Sequence, residues 1–353
     1  MEYAFTLTCL TLLFAGLMAW GIGANDVANA MGTSVGAKAL SIKQAVMVAA
    51  IFELAGAVLA GSHVTSTVRK GIVAPDAFMG NPETLVFGML ASLLGAAIWL
   101  ALATSRGWPV STTHSIVGAI IGFSVVTVGI DAVAWNKVGM IGSSWLISPV
   151  VAGGISFLTV QSINIWIMNS ETPFRNARRY TPFYLAATFF VISLLLFSKG
   201  LKHLDWVNDM SPSSCYLISL GVALLAAALG WLRIYRISPL AGLTQSNERA
   251  IVERIFASLM IVTACTMAFA HGSNDVANAI GPAAAVLSTL KDGTVGANSP
   301  VSPWVLMLGG VGIVVGLLTY GRRVMETVGQ RITQITPYQG FSAEIGASST
   351  VVF

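Results

Sequence analysis

Long runs without a formal charge alternate with short polar connectors along the whole chain. The runs free of Asp, Glu, Lys and Arg cover residues 3–25, 44–52, 84–105, 107–130, 138–170, 180–198 and 210–232, and, after an Arg-rich connector, 255–274, 293–321 and 332–343. A hydrocarbon core about 30 Å thick needs roughly twenty apolar residues per helix. With helices continued through Glu53 and Glu344, the pattern predicts an all-α, polytopic membrane protein with about ten spans. Composition strengthens this reading, because only 10% of the 353 residues are charged, against about a quarter in soluble domains. The first twenty residues carry Glu2 as their only charge, without the basic start or small-residue cleavage site of a signal peptide, so they are expected to form a retained first helix.

Charge adds topology. Arg175, Arg178 and Arg179 form one basic cluster, and Arg233, Arg236, Arg249 and Arg254 another. The positive-inside tendency makes both loops cytoplasmic, and Lys38 and Lys43 after the first helix favour an external N-terminus. A multi-pass protein of the plasma (inner) membrane is expected. The net charge of +4 is distributed as short loop clusters, which excludes nucleic acid as an expected partner. Cys9, Cys215 and Cys265 have no paired spacing, so neither a disulfide framework nor a zinc site is implied.

A search for self-similarity finds Gly23-Ala24-Asn25-Asp26-Val27-Ala28-Asn29-Ala30-Met31-Gly32 matched by Gly272-Ser273-Asn274-Asp275-Val276-Ala277-Asn278-Ala279-Ile280-Gly281, at a constant offset of 249 with eight of ten positions identical. Asp26 is the only formal charge between Glu2 and Lys38, and Asp275 the only one between Arg254 and Lys291. Each carboxylate is therefore expected at membrane depth, where an Asp costs about 2.5–3.5 kcal/mol on insertion scales. A polar packing seam through Asn25, Asp26 and Asn29 is the structural reading, since those spacings share a helix face. The functional reading is a cation site repeated twice: Asp26 with Asn29, and Asp275 with Asn278, assisted by backbone carbonyls freed where Gly23, Gly32, Gly272 and Gly281 loosen the helix. Helices beginning near Asn25 and Asn274 would then approach one another. Other glycine pairs, Gly118 with Gly122 and Gly312 with Gly316, fit close helix packing.

A second motif suits an anion. Pro109-Val110-Ser111-Thr112-Thr113-His114 precedes an apolar run, which is a helix-start signal. Three successive hydroxyls beside the free N–H groups of a helix N-terminus donate to a tetrahedral oxyanion, and the helix dipole adds favourable potential. The bland alternative is an N-cap with two spare hydroxyls bonded to the helix.

These motifs resemble the inorganic phosphate transporter family, in which each of two inverted halves carries an Asn-Asp motif and a Pro-x-Ser-Thr-Thr-His motif. Ile51-Phe52-Glu53, Arg69-Lys70-Gly71-Ile72, Ser144-Trp145 with Ser148-Pro149, and Phe341-Ser342-Ala343-Glu344 also match. The resemblance implies two inverted-topology repeats, divided as 1–170, a connecting part 171–254 with the Arg-rich loop, and 255–353. It implies cation roles for Asp26, Asp275, Glu53 and Glu344, and phosphate roles for Ser111, Thr112 and Thr113, with Asn25 and Asn274 also assigned to phosphate. His114 and His271 become auxiliary hydrogen-bonding groups. Adding 249 to Ser111 puts a second hydroxyl cluster near position 360, so the chain is expected to stop short of a final pair of spans in a protein of about twelve.

The implied function is import of inorganic phosphate by cation symport through alternating access, with Na⁺ at Asp26 and Asp275, or H⁺ in its place, and no other cofactor. Inorganic phosphate, the coupling ion and the lipid bilayer are the expected partners, with room for a homodimer. Sulfate and arsenate remain alternatives, as does a channel or sensor. An intramembrane hydrolase built on Ser111 or Ser34 with His114 is the rival of a different class, and it gives no reason to duplicate an Asn-Asp motif.

Overall fold

The computed structural model describes residues 3–73, 75–201, 205–237, 244–295, 301–332 and 334–352, although the side chains of 63–71, including Arg69 and Lys70 of the matched segment, lie outside that description. The described chain is helical throughout, with one isolated bridge between Val73 and Val133. Its helices are α1 (Ala4–Asn25), α2 (Val27–Gly36), α3 (Ile42–Gly71), α4 (Pro82–Ser105), α5 (Thr112–Thr127), α6 (Trp135–Ile163), α7 (Pro173–Leu195), α8 (Asp205–Asn208), α9 (Pro212–Tyr235), α10 (Gln245–Asp292), α11 (Pro303–Gly316), α12 (Arg322–Glu326) and α13 (Pro337–Val352).

Starts and stops follow local chemistry. Asn81 caps α4 through its side chain, with Pro82 in the first turn, and Ser211 caps α9 ahead of Pro212, because proline needs no N–H partner there. Helix α4 ends at Ser105, and Gly107, just past its cap, has the φ of +70° that suits the left-handed residue closing a helix. Trp108 N–H donates to the Ala103 carbonyl and Gly107 N–H to that of Thr104, the two bonds of a Schellman motif. That turn fixes the direction in which the chain reaches α5.

Eight described helical stretches are long and apolar enough to cross a membrane. The other two apolar runs become α5 and α13, of 16 residues each, or about 24 Å at 1.5 Å per residue. Large apolar side chains remain outside, among them Phe5, Val126, Leu146 and Val150, as expected where lipid is the solvent. This is a multi-pass membrane protein.

The chain forms two compact units assembled from discontinuous segments. The first contains residues 1–30, 42–145 and 268–328, and the second residues 31–41, 146–267 and 329–353. The second unit has an apolar core around Ile163, Ile167, Phe174, Phe256, Met260 and Phe341. In the first unit, glycines set the helix contacts in reciprocal pairs. A Cβ on Gly23 would lie 1.8 Å from the Ile313 carbonyl oxygen, and one on Gly316 would lie 1.9 Å from that of Trp20, so α1 and α11 touch backbone to backbone. Helices α3 and α10 do the same: Cβ atoms on Gly56 and Gly272 would lie 2.0 Å from the Phe269 oxygen and 2.2 Å from the Glu53 oxygen.

Two expectations about glycine are corrected. Gly23 and Gly272 do not loosen their helices; they admit a neighbouring backbone. The first helix is interrupted only at Asp26, whose carbonyl accepts from Asn29 N–H at 2.9 Å, and α10 runs unbroken through Gly272, Gly281 and Pro282. The ends of α1 and α2 therefore meet at Asp26, whereas Asn274 lies inside a helix. Gly312 and Gly316 do pack closely, but nothing lies near a Cβ on Gly118 or Gly122.

Gly23→Val should consequently push α1 from α11 and destabilise the protein by roughly 1–3 kcal/mol, as overpacking does. Gly118→Ala should be neutral or slightly stabilising, given alanine's better helix propensity. Thermal unfolding of the purified variants in detergent distinguishes the two positions.

Candidate functional site

The break at Asp26 and the start of α5 are brought together in the first unit. Asp26 is buried, at 6% exposure. Its Oδ1 accepts from Asn29 Nδ2 at 2.6 Å, and its Oδ2 from the Thr112 hydroxyl at 2.6 Å. Asn278, from the second Asn-Asp motif, donates to Thr113 Oγ1 at 3.0 Å and lies 3.4 Å from Thr112 Oγ1. The two copies of the duplicated motif are thus joined through the hydroxyls at the N-terminus of one short helix.

Ser111 begins that helix. Its side chain accepts from His114 N–H at 3.2 Å, so it acts as the N-cap while Thr112 and Thr113 face the motifs. The connector before it is held by Asn25. Asn25 Nδ2 donates to Thr104 Oγ1 at 3.0 Å and to the Trp108 carbonyl at 2.8 Å, while its Oδ1 accepts from Val110 N–H at 3.0 Å. Both N–H donors of this buried amide and one lone pair of its oxygen are used. Asn274, its counterpart in the repeat, is only half-buried.

His271 is the centre of the carboxylate cluster. Its Nδ1 lies 2.9 Å from Glu53 Oε2; its Nε2 lies 2.6 Å from Asp275 Oδ2 and 4.0 Å from Asp26 Oδ2. Potential ligand atoms of Asp26, His271 and Asp275 all fall within 4.8 Å of one another. Glu53 is fully buried, and its Oε1 has no hydrogen-bond partner among the described residues. With all three carboxylates ionised, an imidazolium at His271 would still leave two negative charges uncompensated. Uncompensated charge at this depth is costly, so the arrangement suits added cations.

Not every expected residue joins this cluster. His114 is exposed and its ring lies tilted against Trp145, with centroids 3.7 Å apart. It faces a cavity of about 410 Å³ that Ser111 and Ser115 also line. Glu344 belongs to the second unit, where it has its own hydroxyl shell: Oε1 accepts from Thr33 at 2.7 Å and Ser34 at 2.8 Å, and Oε2 accepts from Thr263. Thr33, Thr104 and Thr263 carried no sequence signal as partners of these groups, since threonine is common in membrane helices. Ser34 serves Glu344 within the second unit.

A model described as the phosphate transporter family matches residues 22–353. The chain belongs to that family. It is 44% identical over 355 residues to a Haemophilus influenzae protein bearing the name phosphate permease, covering 99% of this chain and 83% of that protein. The chloroplastic inorganic phosphate transporter 2-1 of Arabidopsis thaliana is 42% identical over 371 residues, covering 98% of this chain and 62% of its own length. Among solved structures, the sodium-dependent phosphate transporter superposes with a TM-score of 0.87 at 36% identity, over 98% of this chain and 84% of that one. The resemblance read from the motifs is borne out, and these relatives are transporters and permeases, not hydrolases.

The differing bonds of the repeated asparagines give a direct comparison. Asn25→Ala would leave buried partners of the 108–110 connector unsatisfied and should lower stability by roughly 1–3 kcal/mol. Asn274→Ala should change it far less. Calorimetric or fluorescence-detected melting of both variants in the same detergent measures the difference.

Proposed function

We propose that the chain imports inorganic phosphate by Na⁺ symport, through alternating access between two inverted repeats, in the plasma (inner) membrane. Asp26 and Asp275 are the principal Na⁺ ligands, with Asn29 and Asn278 supplying neutral oxygens and Glu53 contributing charge. Glu344, with its three hydroxyls, is a second cation-binding group. Thr112 and Thr113, at the N-terminus that Ser111 caps, hold phosphate oxygens together with Asn274. Asn25 acts on the same substrate by holding the connector that aims this N-terminus.

The observation that carries this reading is the run of contacts Asn29, Asp26, Thr112, Asn278, Thr113. A carboxylate suited to a cation and hydroxyls suited to an anion share the Thr112 hydrogen bond, so occupancy of one is felt by the other. Phosphate entering low dielectric needs compensating positive charge, and neither motif contains Lys or Arg. Na⁺ held by the carboxylates supplies it without a fixed cation that would retain the substrate. The name of the similar solved structure, a sodium-dependent phosphate transporter, supports the choice of ion.

One observation favours a second reading. His271 lies between Glu53 and Asp275, and such a chain of titratable groups inside a membrane also serves proton relays. Uptake of radiolabelled phosphate into proteoliposomes, with Na⁺ and pH gradients imposed separately, decides between them. Under Na⁺ coupling an inward Na⁺ gradient drives accumulation, a pH gradient alone does not, and Asp26→Asn and Asp275→Asn each abolish Na⁺-driven uptake while remaining in the membrane. Accumulation driven by pH without Na⁺ establishes the proton reading, and undiminished uptake in either variant refutes the ligand assignment.

A further inference from the structure

Within the second unit, α7, α9 and α10 enclose a groove of about 580 Å³ that no part of the transport reading uses. Its walls are almost wholly aliphatic, with Leu185, Leu225, Leu229, Ile255 and Val262 representative. Two hydroxyls line it, but both are turned back onto their own helices: Thr188 donates to the Tyr184 carbonyl at 2.7 Å and Ser258 to that of Arg254 at 3.2 Å. The floor is closed where α9 meets α7, since a Cβ on Gly230 would lie 2.1 Å from Leu185 Cδ1. The groove is open to the outside along α9, where Leu225 and Leu229 are about 60% exposed.

One charged residue lines this apolar groove, Arg233 in the last turn of α9. It is exposed, and among the described residues no carboxylate pairs with it. The α9 residues that line the groove run from Val222 to Arg233, eleven steps or about 16 Å at 1.5 Å per residue. That is about half of a ~30 Å hydrocarbon core, the depth of a single leaflet. On α10, Arg254 lies one turn before Ser258, which lines the groove.

We propose that this groove binds one anionic phospholipid, with an acyl chain along its aliphatic wall and the headgroup phosphate on Arg233. Length, wall chemistry and charge select this occupant together. A free oxyanion has no use for a leaflet-deep apolar wall, a neutral lipid none for an unpaired guanidinium, and a spanning partner helix needs a groove twice as long. Basic residues at the interfacial end of an interhelical groove are the arrangement by which membrane proteins hold acidic headgroups. The bound lipid would tie α7 and α9 to α10, the helix that carries His271 and Asp275.

Native mass spectrometry of the purified chain, titrated in detergent with palmitoyl-oleoyl phosphatidylglycerol or phosphatidylcholine, tests the proposal. One phosphatidylglycerol should be retained about fivefold to tenfold more tightly than phosphatidylcholine, the preference expected of one or two favourable headgroup contacts. Arg233→Gln should remove that preference, Arg236→Gln, which does not line the groove, should keep it, and Leu229→Trp should displace both lipids. Arg233→Gln is an exposed change that leaves the wall intact, so it carries the test even if Leu229→Trp fails to fold. Equal retention of the two lipids by the native chain, an undiminished preference in Arg233→Gln, or a second copy of the chain bound in place of lipid would overturn it.

Discussion

Three carboxylates packed around one imidazole, inside a protein whose solvent is lipid, set the terms for the rest of the first unit. Asp26, Glu53 and Asp275 come from three different helical segments and meet at His271. An isolated ionised carboxylate in low dielectric is so costly that it is neutralised or paired, and even a fully protonated imidazole compensates only one of the three. Such an arrangement suits added positive charge. On our account Na⁺ supplies that charge, and phosphate binds where the cations have made it electrostatically tolerable.

That cluster exists because helix backbones approach unusually closely. The reciprocal glycine contacts of α1 with α11 and of α3 with α10 put Glu53 against the turn of α10 that carries His271 and Asp275. In lipid there is little hydrophobic drive for helices to associate, so small residues and interhelical polar bonds must hold them together. The same glycines that look like helix breakers in a soluble protein act here as the contact surface. Asn25 has a matching role at short range, since its amide fixes the connector that delivers the N-terminus of α5 to Asp26.

Much of this was legible in the sequence, and the limits have physical causes. Charge-free runs predicted the helices because the bilayer imposes a length and composition that local sequence cannot hide. The duplicated Asn-Asp wording singled out Asp26, Asp275 and Asn278, and the Pro-Val-Ser-Thr-Thr-His segment singled out Thr112, because polar residues at membrane depth stand out from their surroundings. What stayed hidden depends on tertiary contact. The pairing of Glu53 with His271 joins residues 218 apart without any shared motif. The hydroxyls around Glu344 come from distant stretches, Thr33 with Ser34 and Thr263, and the place of His271 between two carboxylates could not come from the repeat, because the 249 offset falls on Ile22. Expecting Gly23 and Gly272 to loosen their helices carried the broken helices of transporters over to positions where close packing decides.

The central claim is that cation and phosphate sites are energetically one unit through Thr112 and Asp26. Linkage makes that claim reciprocal: if Na⁺ raises the affinity for phosphate by some factor, phosphate must raise the affinity for Na⁺ by the same factor. Isothermal titration of the purified protein measures both, with phosphate added in NaCl or choline chloride and Na⁺ added with and without phosphate. The account predicts strong phosphate binding only with Na⁺ present, and equal coupling factors in the two directions. Phosphate binding of the same affinity in choline chloride would contradict it.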